Sequence, residues 1–185
     1  SLALSSRCLR LLILTATRSG EARGAEWAEF DLEKRTWTIP SARYKNKREH
    51  VIPLSQAALD LIQNLPVIGN SPFLFPNSSG GFLSDVSMSN ALHAVMEEIT
   101  VHGWRSTFRQ WAAEQTSFPE SVCELALGHT NPNRTEAAYQ RSDLLEKRRM
   151  LMEVWANFLE GKERLVPIES SRDSFGSGAK LVGDS

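Results

Sequence analysis

Four places in this 185-residue chain hold polar side chains that a hydrophobic core would not ask for. Arg18 stands in Thr17-Arg-Ser-Gly-Glu21, where an apolar helix gives way to a turn. A guanidinium there is either a fork for a phosphate or carboxylate, oriented by Glu21, or a helix-end cation set against the last carbonyls. Arg43, Lys45, Lys47 and Arg48 put four cations into six residues on the turn between two predicted strands. Such a tip can lie along a phosphate backbone, or it is simply a solvated turn. His102-Gly-Trp-Arg105 opens a helix, and the three-residue spacing sets His102 and Arg105 on one face at the end where backbone N–H groups favour an anion. A structural histidine at a helix start is the plainer reading of His102. Leu127-Gly-His129 is followed ten residues on by Tyr139, one of only 2 tyrosines in the chain. Tyr139 is either a core phenol with one hydrogen-bond partner or a candidate for tyrosine-based chemistry.

These residues need a scaffold, and the composition describes it. With 21 Lys+Arg against 22 Asp+Glu, a net charge of −1 and 41% hydrophobic residues, the chain suits one ordinary domain with a core of its own. The longest apolar stretch, residues 8–17, is interrupted by Arg10 and falls short of the roughly 20 residues of a bilayer span, and no cleavable signal precedes it. A membrane or secreted protein is not expected, and a cytoplasmic location is. Cys8 and Cys123 lack CxxC spacing or neighbouring histidine pairs, so neither a disulfide framework nor a zinc site is indicated, and no cofactor or metal is expected. Near-neutral charge leaves no global footprint of a nucleic-acid partner, so such a partner must be argued from the local cation clusters.

Patterning then sets the order of elements. Leu9, Leu11, Leu12 and Leu14 mark an apolar helix, and a short helix follows from Gly20 to about Ala25. Residues 30–32, 36–40 and 50–54 read as three short strands separated by charged turns, forming a small antiparallel sheet. Ser55 is a helix N-cap, and Pro66 halts the helix that it starts. Residues 69–81 read as a loop anchored by Phe73-Leu-Phe75. The rest reads as helices over residues 85–99, 102–115, 119–127, 134–141 and 143–159, ahead of a flexible tail at 163–185. In the last helix Leu151, Met152, Val154 and Trp155 either face a neighbouring protomer or close the chain's own core. The fold class is α+β, mainly helical, with a three-stranded antiparallel sheet.

Taken in order, an arginine, a hairpin lysine, His-x-x-Arg, then Gly-His with a tyrosine ten residues later form a specific pattern. The sequence resembles the catalytic domain of the tyrosine recombinases, or phage integrases, and is most similar to the prophage and genomic-island branch. The resemblance is carried by residues 12–27 (LILTATRSGEARGAEW), 42–55 (ARYKNKREHVIPLS), 101–114 (VHGWRSTFRQWAAE) and 124–141 (ELALGHTNPNRTEAAYQR). It implies paired arginines at Arg18 and Arg105, a hairpin lysine at Lys45, histidines at His102 and His129, and the nucleophile at Tyr139. Arg43, Lys47 and Arg48 would contact DNA. Ala16 stands where a glycine is frequent, Arg23 where an apolar residue is usual, and Cys123 where a branched aliphatic is common.

The implied activity is site-specific recombination of double-stranded DNA at attachment sites through a 3′-phosphotyrosyl intermediate, serving integration or excision of a prophage or genomic island. The implied assembly is a homotetramer on DNA, monomeric when isolated, aided by DNA-bending or directionality proteins. Residues 1–162 would form the catalytic domain, without the arm-binding and core-binding domains that family members carry upstream, so DNA binding by this chain alone should be weak and steeply salt-dependent. The alternatives are type IB topoisomerase-like relaxation and a decayed, noncatalytic DNA-binding or assembly domain.

Overall fold

A computed structural model describes residues 2–95, 100–129 and 141–162. Helix α1 (Leu2–Thr15) runs through the middle of the molecule and packs on the helices described below. Cys8, Leu11, Leu12 and Thr15, spaced three and four apart, are buried along it. Burial pushes the Cys8 thiol up to about 12, so that sulfur is a packing group. A short α2 (Ser19–Arg23) and a 3₁₀ turn (Trp27–Glu29) lead into the sheet.

The sheet has the order β1 (Phe30–Asp31), β2 (Thr36–Ile39), β3 (His50–Pro53), with both pairs antiparallel. Trp37 sits opposite Ile52 and Ile39 opposite His50, so the alternation that buries Trp37, Ile39 and Ile52 fixes the register. This register brings His50 to the end of the sheet from which the 40–49 loop springs. Helix α3 (Gln56–Gln63) begins where the Ser55 hydroxyl accepts from the Ala58 N–H, the cap expected from its sequence.

Helix α4 (Asp85–His93) lies against α1. It closes earlier than the 85–99 pattern predicts, because the final bond tightens to Val95 N–H donating to the Leu92 carbonyl. Residues 96–99 lie outside the described residues. Helices α5 (Gly103–Gln115), α6 (Glu120–Ala126) and α7 (Arg141–Leu159) complete the fold. Arg141 lies within α7 as described, and residues 134–140 of the predicted short helix and the 163–185 tail lie outside the described residues.

Two core clusters meet at α1. One joins α1, α3, α4 and the sheet, and the other gathers Phe108, Trp111 and Trp155 from α5 and α7. Trp155 lies 4.8 Å from Trp111 and 5.3 Å edge-on to Phe108, and its Nε1 donates to the Ile13 carbonyl at 2.8 Å. Leu151, Met152 and Trp155 are fully buried and Val154 packs against them, so these residues close the chain's own core. Among the described residues no helix is long and apolar enough to cross a membrane.

Candidate active site

At the end of α1 the chain turns through Ala16, whose φ of +50° is a left-handed conformation that favours glycine. This turn aims the Ala16 carbonyl at α5, where Arg105 Nη1 donates to it. Arg105 Nη2 donates to the Leu127 carbonyl at 2.6 Å, just beyond α6. The guanidinium is thus buried and locked in plane between two backbone oxygens, while each terminal nitrogen keeps a second N–H. Burial first, and then the charge of Arg18, pull the Arg105 pKa down from its usual value. The two guanidiniums, remote in sequence, occupy one electrostatic neighbourhood.

Arg18 sits at the N-cap of α2, and Glu21 holds it at both ends. Its backbone N–H donates to Glu21 Oε2 at 2.8 Å, and its Nη1 donates to Glu21 Oε1 at 2.9 Å. Arg18 Nη1 also lies 3.4 Å from the Tyr44 hydroxyl. Burial lowers its pKa, but the bonds to Tyr44 and Glu21 outweigh that and leave the pKa raised.

The 40–49 loop closes on this pair. The Tyr44 hydroxyl donates to the Gly128 carbonyl at 2.9 Å, and Asn46 Nδ2 donates to the same oxygen at 3.1 Å. Gly128 has a φ of +69°, and a Cβ built on it would collide with the Tyr44 hydroxyl. The His50 ring stacks on Tyr44 with centroids 4.8 Å apart. Burial, with the charges of Arg148, Arg18 and Arg105 beside it, pushes the His50 imidazole down to about 4, so the ring is neutral at neutral pH.

His129 follows Gly128 directly. Its backbone N–H donates to the Glu124 carbonyl, and its Nδ1 pairs with Glu124 Oε2, which also fixes the ring. Arg109 Nε in turn pairs with Glu124 Oε1 at 2.8 Å. With Nδ1 engaged, Nε2 is the nitrogen left for a ligand, and it donates only when the ring carries both protons.

Of the residues singled out in the sequence, Arg18, Arg105 and His129 converge through Ala16, Leu127 and Gly128, and Lys45 stands in the loop that docks onto them. Lys45, Lys47 and Arg48 are exposed and have no ion-pair partner among the described residues. His102 caps the start of α5, exposed, without a side-chain capping bond, one turn from Arg105. Arg43 is turned inward: Nε and Nη2 donate to the Glu29 carboxylate at 2.8 and 2.6 Å, and Nη1 donates to the Glu21 carbonyl at 3.1 Å. Its guanidinium clamps the base of the loop to α2. Tyr139 lies outside the described residues. Sequence reasoning missed Tyr44, Asn46, His50 and Glu124. The one available signal was that the first three interrupt or flank the cation run.

Residues 1–146 match the phage integrase family. The prophage integrase IntA of Escherichia coli K12 is 35% identical over 171 residues, covering 88% of this chain and 41% of that protein. The integrase of Enterobacteria phage P4 is 33% identical, covering 82% of this chain and 39% of that protein. The chain therefore spans about two fifths of the length of these relatives. Among solved structures, the integrase from mycobacterium phage Brujita superimposes with a TM-score of 0.64 at 20% identity, covering 81% of this chain and 51% of that one. XerA recombinase gives 0.53 at 13% identity, over 81% and 63%. The fold is that of a tyrosine recombinase catalytic domain, and the chain belongs to the phage integrase family.

Proposed function

We propose that this chain is the catalytic part of a site-specific DNA recombinase that cuts and rejoins strands through a phosphotyrosyl link, for integration or excision of a prophage or genomic island. The observation that carries this reading is the meeting of Arg18 and Arg105 beside Gly128 and His129. The names of the prophage and phage relatives agree with it. So does the fold shared with XerH recombinase bound to its difH substrate, at a TM-score of 0.51 and 19% identity. The proposed substrate is duplex DNA at attachment sites, acted on by a tetramer assembled on the DNA with accessory bending or directionality proteins, in the cytoplasm at the nucleoid.

In the proposed step the Tyr139 oxygen bonds to the scissile phosphorus as the bond to the 5′-oxygen breaks. The phosphodiester energy is kept in the new ester, so the reverse attack by a 5′-hydroxyl reseals the strand. Negative charge builds on the nonbridging oxygens, and Arg18 and Arg105 supply fixed cations for them. Loss of one such donor typically costs on the order of 10²–10³ in rate. The phenol, with an ordinary pKa of about 10, passes its proton to His102, and Lys45 gives a proton to the departing 5′-oxygen. His129, held by Glu124, donates from Nε2 to a nonbridging oxygen. Lys47 and Arg48 contact flanking phosphates.

The test is a duplex nicked near the cleavage point, which loses its short 3′ product and traps the intermediate. The expected result is a covalent protein–DNA adduct mapped by mass spectrometry to Tyr139, absent in Tyr139→Phe while DNA binding by that variant is retained. Absence of an adduct from the unaltered protein, with binding intact, would instead support a noncatalytic DNA-binding domain.

A further inference from the structure

Two side chains that no step above uses flank Lys45 on either side, and both end on the same oxygen. Tyr44 and Asn46 each donate to the Gly128 carbonyl, at 2.9 and 3.1 Å. Gly128 is the residue before His129, and its left-handed φ turns that carbonyl out of the α6 terminus, where it would otherwise be capped locally. The loop is held at its base as well. Arg43 is clamped by Glu29 and the Glu21 carbonyl, and Lys47, with a φ of +54°, closes a turn by donating its N–H to the Tyr44 carbonyl. Among the described contacts, every side chain from Arg43 to Asn46 except that of Lys45 is therefore bonded to the body of the protein, and the exposed Lys45 side chain is left untied. A solvated hairpin tip requires none of these ties.

We infer that Tyr44 and Asn46 are positioning residues for Lys45: by gripping the Gly128 carbonyl from both sides, they hold the lysine loop docked beside the arginine pair before DNA arrives. The inference rests on the reading of Lys45 as the general acid. A lysine on an untethered loop would have to be ordered in each cleavage event, and the tie removes that cost in advance. The tie also couples the loop to the Gly-His turn, so the backbone that carries Lys45 is held to the backbone that carries His129.

Asn46 is the cleaner probe, since Tyr44 also touches Arg18. Single-turnover cleavage is measured on two nicked duplexes, one normal and one with sulfur in place of the 5′ leaving oxygen at the scissile phosphate. In the normal duplex the breaking P–O bond leaves an alkoxide that takes a proton from Lys45 Nζ, whereas in the other the breaking P–S bond leaves a thiolate that needs none. Asn46→Ala should slow the oxygen substrate roughly 10-fold, the size expected for one lost hydrogen bond, and Tyr44→Phe combined with Asn46→Ala should slow it further. On the sulfur substrate Asn46→Ala should match the unaltered protein within about two-fold, as should Lys45→Ala.

Equal slowing of both substrates by Asn46→Ala, or no slowing of either, overturns the inference. If Lys45→Ala is rescued by sulfur and Asn46→Ala is not, the tie is wrong and the lysine assignment stands. If Lys45→Ala itself is not rescued, the lysine assignment falls and takes the tie with it. Melting curves of Asn46→Ala, an exposed position, and of the isosteric Tyr44→Phe confirm that the folded state is the one assayed.

Discussion

His50 shows how much of this site is made by burial. Its ring lies against Tyr44 with three guanidiniums around it, and its imidazole is held at about 4 against an ordinary value near 6.5. A histidine whose pKa is depressed on folding binds its proton later than the unfolded chain does. Its contribution to stability is therefore complete above pH 6.5 and is lost as the pH falls toward 4. The expected outcome is that the unaltered protein loses more stability than His50→Gln between pH 7 and pH 4.5, by a difference of up to about 3 kcal/mol in urea titrations. Parallel losses would contradict the assignment of the low pKa. Arg18, Arg105, Lys45 and His129 were singled out in the sequence through the motifs that carry the family resemblance. Tyr44 and Asn46 were not, because both bond one carbonyl more than eighty residues away, at Gly128, which no local pattern announces, and His50 was not, because its place depends on stacking against Tyr44.

At the scale of elements, the turns position the site more than the helices do. Ala16 and Gly128 both adopt left-handed conformations, and each delivers a carbonyl: Ala16 to Arg105, Gly128 to the lysine loop. The resemblance marked Ala16 as a slot where glycine is frequent, and the structure supplies what goes with it: a left-handed φ of +50° after α1 and a carbonyl that meets Arg105. Gly128→Ala should destabilise the domain by about 2–4 kcal/mol in denaturant titrations, from left-handed strain plus the collision with Tyr44. In a Tyr44→Phe background, where the hydroxyl is gone, that cost should shrink, the ring carbon that bore it and His50 Nε2 still standing 3.0 and 3.2 Å from the added Cβ. An undiminished cost would show that the crowding lies elsewhere.

The Ser55 cap and the proline that starts α6 were readable because such helix-start signals are local. The inward commitments of cations were not. Arg23, in a slot where an apolar residue is usual, bonds the Leu83 carbonyl and pairs with Asp85 at the start of α4. Arg148 and Arg149 on α7 donate to the Val51 and Arg35 carbonyls, fastening that helix to the sheet.

For the whole molecule, these commitments explain why a net charge of −1 is a poor guide to partners. Arg23, Arg43, Arg148 and Arg149 are occupied within the fold, while Lys45, Lys47 and Arg48 stand together on one exposed loop beside the half-buried Arg18 and the buried Arg105. The charge that matters is concentrated where α1, α2, α5, α6 and the 40–49 loop converge. The central claim is that Arg18, Arg105 and Tyr139 act on a single phosphate. Orthovanadate, which becomes five-coordinate between a tyrosine oxygen and a DNA 5′-hydroxyl, tests it directly in a crystal structure of the protein with cleaved attachment-site DNA. The account predicts vanadate bonded to the Tyr139 oxygen with both guanidiniums within hydrogen-bond distance of its equatorial oxygens. Vanadate bound through another residue, or seated on Tyr139 with either arginine turned away, would contradict it.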